Sequence, residues 1–134
     1  MIADAAKWLD RADRGVRSAE VTLQDGDANG ACGLAYYAMF YAARAALIVA
    51  GEHRAAMAKT HSGLIAAFNQ RFVQTGFISA EHGRNFALES SRRLLAAYQG
   101  DVISDKAAAE AIDHATAFIA AVREWTVRRP GGEA

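Results

Sequence analysis

The sequence predicts an all-α protein, folded as an up-and-down bundle of four to five helices around a buried second helix. The 134 residues contain a single proline, Pro130, so the helix-breaking residue is absent from nearly the whole chain. Alanine, which loses the least entropy in a helix, is abundant throughout. The length suits one domain, which we assign to residues 1–127, followed by a flexible tail at 128–134.

The first predicted helix runs from Ile2 to Gln24 and has a narrow apolar seam. Large apolar residues recur every seven positions, and alanines fall between them, which places both sets on one face. The seam consists of Ile2, Leu9, Val16 and Leu23 with Ala5, Ala12 and Ala19. The polar segment DGDANG ends this helix, and either Asp27 or Asn29 can cap the next one.

The second predicted helix, Ala31 to Ala50, contains the stretch GLAYYAMFYAARAAL at 33–47. It is apolar on almost every side, as expected for a central helix surrounded by others. Arg44 is its only charge. Because an isolated buried charge is costly, we expect Arg44 to meet a carboxylate, a carbonyl group or a dimer partner.

Two adjacent tyrosines, Tyr36 and Tyr37, lie in this central helix. Neighbouring residues on a helix point in different directions, so we expect at most one of them to line any given cleft. The other is predicted to belong to the core.

Three further helices are predicted from apolar residues spaced three and four apart. Two of them begin at a serine, whose hydroxyl can cap the helix by accepting a hydrogen bond from a free backbone N–H. These helices run from His61 to Thr75, from the cap Ser79 to Tyr98 or Gln99, and from Ser104 or Asp105 toward the C-terminus.

The overall charge argues against strong non-specific binding of nucleic acid, because fifteen basic and fifteen acidic residues cancel. The middle of the chain, 53–99, has six basic and two acidic residues and a net charge of +4. This excess could serve a phosphate-bearing ligand, although a solvated helix face is the simpler interpretation.

Other classes of function are excluded by residues that the chain lacks. Cys32 is its only cysteine, so an internal disulfide and a zinc ribbon are both ruled out. His53, His82 and His114 show no metal-ligand spacing, and we predict neither a metal nor a cofactor. The N-terminus has no signal-peptide pattern, and Arg44 interrupts the longest apolar span. A cytoplasmic protein without membrane association is therefore expected.

Three stretches in a fixed order carry a family resemblance. They are GLAYYAMFYAARAALIVAG at 33–51, HSGLIAAFNQRFVQTG from His61, and a helix that ends in Arg93 and Tyr98. This order resembles the HEPN-domain proteins, and in particular their small stand-alone prokaryotic, UPF0332-like group. That group has the patterns Tyr-Tyr-Ala-x-Phe-x-Ala-x-x-Ala-Leu, His-x-Gly and Arg-x-x-Ala-Asp-Tyr. The resemblance extends over most of the chain.

The resemblance implies a helical bundle that commonly dimerises and often acts beside a minimal nucleotidyltransferase in a toxin–antitoxin pair. It also implies an association with nucleotides or RNA. Ribonuclease members of the family carry Arg-x(4–6)-His, and the two residues meet across a dimer. There the arginine would stabilise phosphate charge and the histidine would move a proton, without a metal.

This chain departs from the ribonuclease motif. Arg93 is followed by LLAAYQ and Gly100, so no histidine stands at the required spacing, and Ala97 replaces the aspartate. We therefore predict a non-catalytic HEPN-like protein that binds a nucleotidyltransferase partner or the phosphate of a nucleotide or RNA, as a homodimer. The predicted ligand-binding residues are Arg93, Tyr98, His61, Arg92 and Tyr37.

Two alternatives stay open. The first is a metal-independent ribonuclease toxin in which His61 or His82 supplies the missing histidine and Arg92 or Arg93 holds the phosphate. The second is a structural oligomerisation module. For His61 itself, a simpler role is to cap its own helix or to pack against the second helix.

Overall fold

A computed structural model describes residues 2–128, with side chains from residue 4 onward, and these residues form a helical bundle without a strand. Its helices are α1 (Ile2–Gln24), α2 (Ala28–Val49), α3 (His53–Ala56), α4 (His61–Phe68), α5 (Ala80–Tyr98) and α6 (Asp105–Arg128). One π-helical turn, Asn69–Val73, continues α4. The predicted all-α bundle is confirmed. The predicted tail falls largely on 129–134, outside the described residues, while Arg128 still belongs to α6.

Helix α2 is the centre of the bundle, as predicted, and α1, α4, α5 and α6 all pack on it. Fourteen of its 22 residues are buried, so only a narrow stripe is left half exposed. By length and hydropathy alone α2 could cross a membrane, but 67% of its most apolar window is buried by the other helices. Burial of this kind is typical of a core helix.

The start of α2 is fixed by Asp27, whose carboxylate accepts a hydrogen bond from the Gly30 backbone N–H at 2.8 Å. The helix therefore begins at Ala28, three residues earlier than predicted. Asn29 has another role. Its side-chain amide donates to the carbonyl oxygens of Ala96, at 3.0 Å, and Gly100 and accepts from the Ile103 N–H at 3.1 Å. It thereby ties the α5–α6 connection to α2.

The interface between α1 and α2 is built from small residues. Ala5, Ala12 and Ala19 are at most 2% exposed, whereas Leu9, Val16 and Leu23 are only partly buried. The side chain of Ile2 lies outside the described ones. At Gly15 an added Cβ would lie 3.1 Å from the Cβ of Ala38, which is closer than ordinary van der Waals contact. The seam is thus confirmed, with alanines at its deepest positions because the two helices approach so closely.

The third predicted helix differs most from the structure. The connecting segment contains the one-turn helix α3, and the predicted continuous helix divides into α4 and the π turn. In that turn the Gln74 N–H donates to the Asn69 carbonyl at 2.8 Å, one residue farther back than in an α-helix. Thr60 caps α4 by accepting from the Gly63 N–H at 3.0 Å, so capping is not the role of His61. The predicted cap Ser79 is confirmed.

The alanine interface predicts that volume added between α1 and α2 is poorly tolerated. Ala12→Leu would insert three heavy atoms where nothing is exposed, and we expect it to lower the free energy of unfolding by about 1–3 kcal/mol. Ala6→Leu, at an exposed position of the same helix, is the matched control and should change it by less than about 0.5 kcal/mol. Urea denaturation followed by circular dichroism measures both, and equal effects would contradict the close packing.

Candidate functional site

The centre of the candidate site is Tyr36, whose ring is fully buried in α2. Its hydroxyl lies 2.7 Å from Nδ1 of His61, the first residue of α4. The guanidinium of Arg93, on α5, lies over the rings of Tyr36 at 5.1 Å and Tyr37 at 5.8 Å. Three helices thus converge on this tyrosine pair. We call Tyr36, Tyr37, Phe40, His61 and Arg93 the Tyr36 cluster.

The imidazole of His61 is held among three aromatic rings of α2. Its centroid is 4.5 Å from that of Phe40, 5.7 Å from that of Tyr36 and 5.5 Å from that of Tyr37. His61 therefore packs against α2, which is one of the two simple roles predicted for it. This packing fixes the position of the ring relative to Arg93.

The prediction for the two tyrosines is right in one respect and wrong in another. Tyr36 is a core residue, whereas Tyr37 is partly exposed. However, the rings do not diverge: they meet edge to face at 5.3 Å, and both contact His61 and Arg93. Long side chains can converge beyond the helix surface when a ring such as His61 lies between them.

Electrostatics keep both hydrogen-bonded groups of the cluster neutral at pH 7. Desolvation lowers the pKa of His61, and the positive charges of Arg93 and Arg44 lower it further. Burial raises the pKa of Tyr36, although a hydrogen bond with Ser90 and the charge of Arg93 oppose part of that rise. A neutral imidazole therefore faces a protonated phenol.

Arg93 has no carboxylate partner within residues 4–128. Its contacts there are with the two tyrosine rings, and its Nε is buried without a hydrogen-bond acceptor. A guanidinium carries five N–H donors in a planar fork that matches a phosphate or carboxylate group. This arginine therefore retains the capacity to bind an anion.

Arg92 points to the other side of α5 and does not join the Tyr36 cluster. It binds Oε2 of the fully buried Glu89 at 2.9 Å and Oε1 of Glu110 at 2.6 Å. Nδ1 of His114 lies 2.7 Å from the same Glu89 oxygen. A buried carboxylate needs such partners, so Arg92 stabilises the α5–α6 contact. Burial, with the charge of Glu89, raises the pKa of the neighbouring Cys32 to about 11, which keeps this thiol protonated.

The remaining predicted residues lie apart from the cluster. Tyr98 is 81% exposed at the end of α5 and has no ring contact within the described chain. His82, in the first turn of α5, faces Phe118 at 6.4 Å. Of the two histidines considered for proton transfer, the structure thus brings His61 and not His82 to Arg93.

Arg44 meets a backbone carbonyl, which is one of the partners expected for it. Its Nε donates to the Ala56 oxygen at 2.8 Å, and its guanidinium lies over the rings of Trp8 at 4.5 Å and Phe40 at 5.0 Å. Within residues 4–128 no group of three His, Cys, Asp or Glu side chains could hold a metal ion.

Sequence reasoning did not include Phe40 and Ser90 among the site residues. Helical spacing could have found both of them. Phe40 lies four residues after Tyr36, and Ser90 lies three residues before Arg93, so each shares a helix face with a member of the cluster.

A comparison of the sequence with protein families identifies the domain. The profile of the HEPN domain matches residues 5–125, which is nearly the whole described chain. The chain belongs to the HEPN domain family. The resemblance drawn from the three sequence stretches is therefore confirmed.

Curated relatives of this HEPN protein include two UPF0332 proteins. The one from Gloeobacter violaceus is 30% identical over 100 residues, covering 75% of this chain and 76% of the relative. The one from Thermotoga maritima is 35% identical over 77 residues, 58% of this chain and 55% of the relative, so the match spans about half of that protein. A Methanocaldococcus jannaschii protein named "Putative toxin MJ0605" is 26% identical over 116 residues, 87% of this chain and 84% of the relative.

On α5 of this HEPN domain, Arg93 is followed by LLAAYQ and Gly100, without a histidine. The structure places a histidine from α4 on the same tyrosine pair instead. Sequence spacing along one helix could not show this, because His61 and Arg93 are 32 positions apart and meet only through α2.

The electrostatics predict a specific titration of His61. Arg93→Gln removes a positive charge beside the ring, so the His61 pKa should rise toward its ordinary value of 6.5. The exposed Arg84→Gln, on the same helix, should leave it unchanged. The shift of the His61 ring proton in NMR spectra, assigned with His61→Gln, measures the pKa. An unchanged value in Arg93→Gln would contradict the proximity of the two side chains.

The lowered pKa of His61 makes the free energy of unfolding depend on pH. The folded pKa lies below the unfolded one, so the unfolded chain binds the proton first as the pH falls. The contribution of His61 to stability is therefore present above about pH 6.5 and is lost as the pH falls below that value. Arg93→Gln should reduce this loss, and urea denaturation at a series of pH values would measure the difference.

Proposed function

We propose that this HEPN domain protein binds the phosphate of a nucleotide or RNA through Arg93 and His61, without cleaving it. The observation that carries the proposal is the guanidinium of Arg93, held over Tyr36 and Tyr37 without a carboxylate partner in the described chain. Arginine forks bind phosphate oxygens with charge-assisted hydrogen bonds. The tyrosine rings fix the guanidinium before any ligand arrives, which lowers the entropy cost of binding.

The hydrogen bond of Tyr36 decides what His61 can do. If Ser90 donates to the Tyr36 oxygen, the phenol proton is directed to Nδ1 of His61. In that tautomer Nε2 carries the hydrogen and acts as a donor. His61 can then donate to a phosphate oxygen beside Arg93, but it cannot accept a proton at Nε2. This arrangement supports binding rather than catalysis.

A role in a toxin–antitoxin-type system follows as the wider context of the proposal. The archaeal relative is named a "Putative toxin", and the family resemblance implies a minimal nucleotidyltransferase as a partner. We propose that such an enzyme is the protein partner of this chain. The bound phosphate would then belong to a nucleotide or to RNA handled by the pair.

We also propose a homodimer, and the outer face of α5 supports it. From Ala87 to Gln99 the exposed side chains carry no charge, and they include Leu88, Leu94 and Leu95, each at least 39% exposed. The charged side chains of this stretch turn toward the bundle instead. Under twofold symmetry a patch faces its own copy, so an uncharged apolar face can pair without like-charge repulsion.

A metal-independent ribonuclease is the second candidate, because His61 and Arg93 flank the same two rings. A proton-transfer group must come within about 3 Å of its target, directly or through one water. A phosphate bound by Arg93 would bring its ribose toward His61. Catalysis at Nε2 would then require the tautomer in which Nδ1 carries the hydrogen.

The proposal predicts that Arg93 and His61 contribute to affinity and that no form of the protein cleaves RNA. Loss of a charge-assisted hydrogen bond costs about 1.5–3 kcal/mol, so Arg93→Ala should weaken binding of a short labelled RNA about 10- to 100-fold. His61→Ala should weaken it less, and Arg84→Ala, an exposed position on the same helix, should have little effect. Fluorescence anisotropy measures binding, and gel analysis in the presence of a chelator measures cleavage.

Two outcomes would contradict this proposal. Equal affinity of the wild type and Arg93→Ala would show that the phosphate binds elsewhere. Cleavage by the wild type that is lost in both folded variants, but kept in Arg84→Ala, would establish the ribonuclease instead.

A further inference from the structure

A cleft of about 470 Å³ lies beside the N-terminal half of α1, at the C-terminal end of α2 and against α3. Trp8, Ile48 and Met57 supply its apolar surface, and Lys7 and Arg11 supply positive charge. His53 and Asp4 also line it. Its size is that of a site for a small molecule or one unit of a larger ligand. The function proposed above does not use it.

Contacts between rings and arginines connect this cleft to the Tyr36 cluster. Arg44 lies over the rings of Trp8, in the cleft, and Phe40, in the cluster. A second line of contacts runs beside the first. Arg11 lies 5.3 Å from the ring centroid of Tyr41, and that ring is 6.1 Å from the ring of Tyr37.

The contacts follow one half-exposed stripe of α2. Tyr37, Tyr41 and Arg44 are partly exposed, although most of the helix is buried. Ile48 lies one turn farther along the same face of α2 and, although only 7% exposed, it lines the cleft. From Tyr37 to Ile48 the stripe is about 16 Å long at about 1.5 Å per residue. The cleft and the Tyr36 cluster thus lie at the two ends of this row of side chains, which we call the groove.

The chemistry of the groove is that of a surface for single-stranded nucleic acid. Among the described residues named for it, four cations, Lys7, Arg11, Arg44 and Arg93, outnumber the carboxylate of Asp4. Aromatic rings lie between these cations along the whole groove. Single strands bind such surfaces because cations neutralise successive phosphates while bases contact the rings.

We propose that the cleft beside Trp8 holds one nucleotide unit of the same ligand whose phosphate is bound by Arg93 and His61. The ligand is then a single-stranded oligonucleotide, and the inference rests on the proposed function of the Tyr36 cluster. A length of 16 Å corresponds to about five nucleotides at the ~3.4 Å spacing of a stacked strand, and to fewer in an extended one. A mononucleotide occupies one end of the groove only.

The two tryptophans allow a direct test, since Trp8 lies in the cleft and Trp125 packs against Phe72 elsewhere in the bundle. In Trp125→Phe the emission reports on Trp8 alone. A 2′-O-methyl RNA hexamer, which cannot be cleaved through the 2′-hydroxyl, should change this emission. It should also bind at least tenfold more tightly than AMP or UMP by calorimetry. In Trp8→Phe the emission of Trp125 should stay constant.

Charge variants distinguish the two ends of the groove. Lys7→Ala combined with Arg11→Ala should weaken hexamer binding about tenfold and leave mononucleotide binding at Arg93 unchanged. Arg93→Ala should weaken both. Arg14→Ala, an exposed arginine of α1 paired with Asp10, is the matched control and should alter neither.

Each contrary result has a separate meaning. If Arg93→Ala weakens both ligands but the hexamer neither changes Trp8 emission nor responds to the Lys7 and Arg11 changes, the inference is overturned and the proposed function stands. If hexamer binding depends on Lys7 and Arg11 but not on Arg93, the cleft is a separate site and the single extended ligand is wrong. If no ligand depends on Arg93, the proposed function fails and this inference fails with it.

Discussion

The hydroxyl of Tyr36 lies inside the bundle, where an unpaired polar group would cost about 1–3 kcal/mol. Its partners are Nδ1 of His61, at 2.7 Å, and Ser90, so satisfying one buried phenol ties α4 and α5 to α2. The same ring supports the guanidinium of Arg93. A requirement of the core thereby assembles a surface site from three helices, and the geometry of that site depends on the packing of α2.

The charged side chains in the second half of α5 turn toward the bundle, and uncharged ones remain outside. The two adjacent arginines of this helix both turn inward, Arg92 to the buried Glu89 and Arg93 to the tyrosines. Arg92 has carboxylate partners, whereas Arg93 has none within the described chain. The two adjacent arginines therefore differ in their capacity to bind an anion. From Ala87 to Gln99 the exposed side chains are uncharged, which is why one helix supports both a ligand site and a proposed contact between copies.

The sequence was sufficient for the bundle, the central helix and most caps, because these depend on local spacing and on alanine and proline content. It could not show the π turn after α4, where the rings of Phe68 and Phe72 lie 5.1 Å apart in the core. It also could not show that Arg92 and Arg93 have different partners. The carboxylate of Glu89 that binds Arg92 is recognised as buried only once α5 and α6 are placed together. The pairing of His61 with Tyr36 likewise depends on tertiary contact.

The proposed phosphate binding by this site depends on the phenol of Tyr36, which holds neutral His61 as a hydrogen-bond donor beside Arg93. Long-range ¹H–¹⁵N correlation spectra of the free protein near pH 7 report directly which ring nitrogen carries the hydrogen. We expect a single tautomer, with the hydrogen on Nε2 and the lone pair of Nδ1 accepting the hydrogen bond of the phenol. Hydrogen on Nδ1 would contradict it, because Nε2 would then be free to accept a proton as a general base.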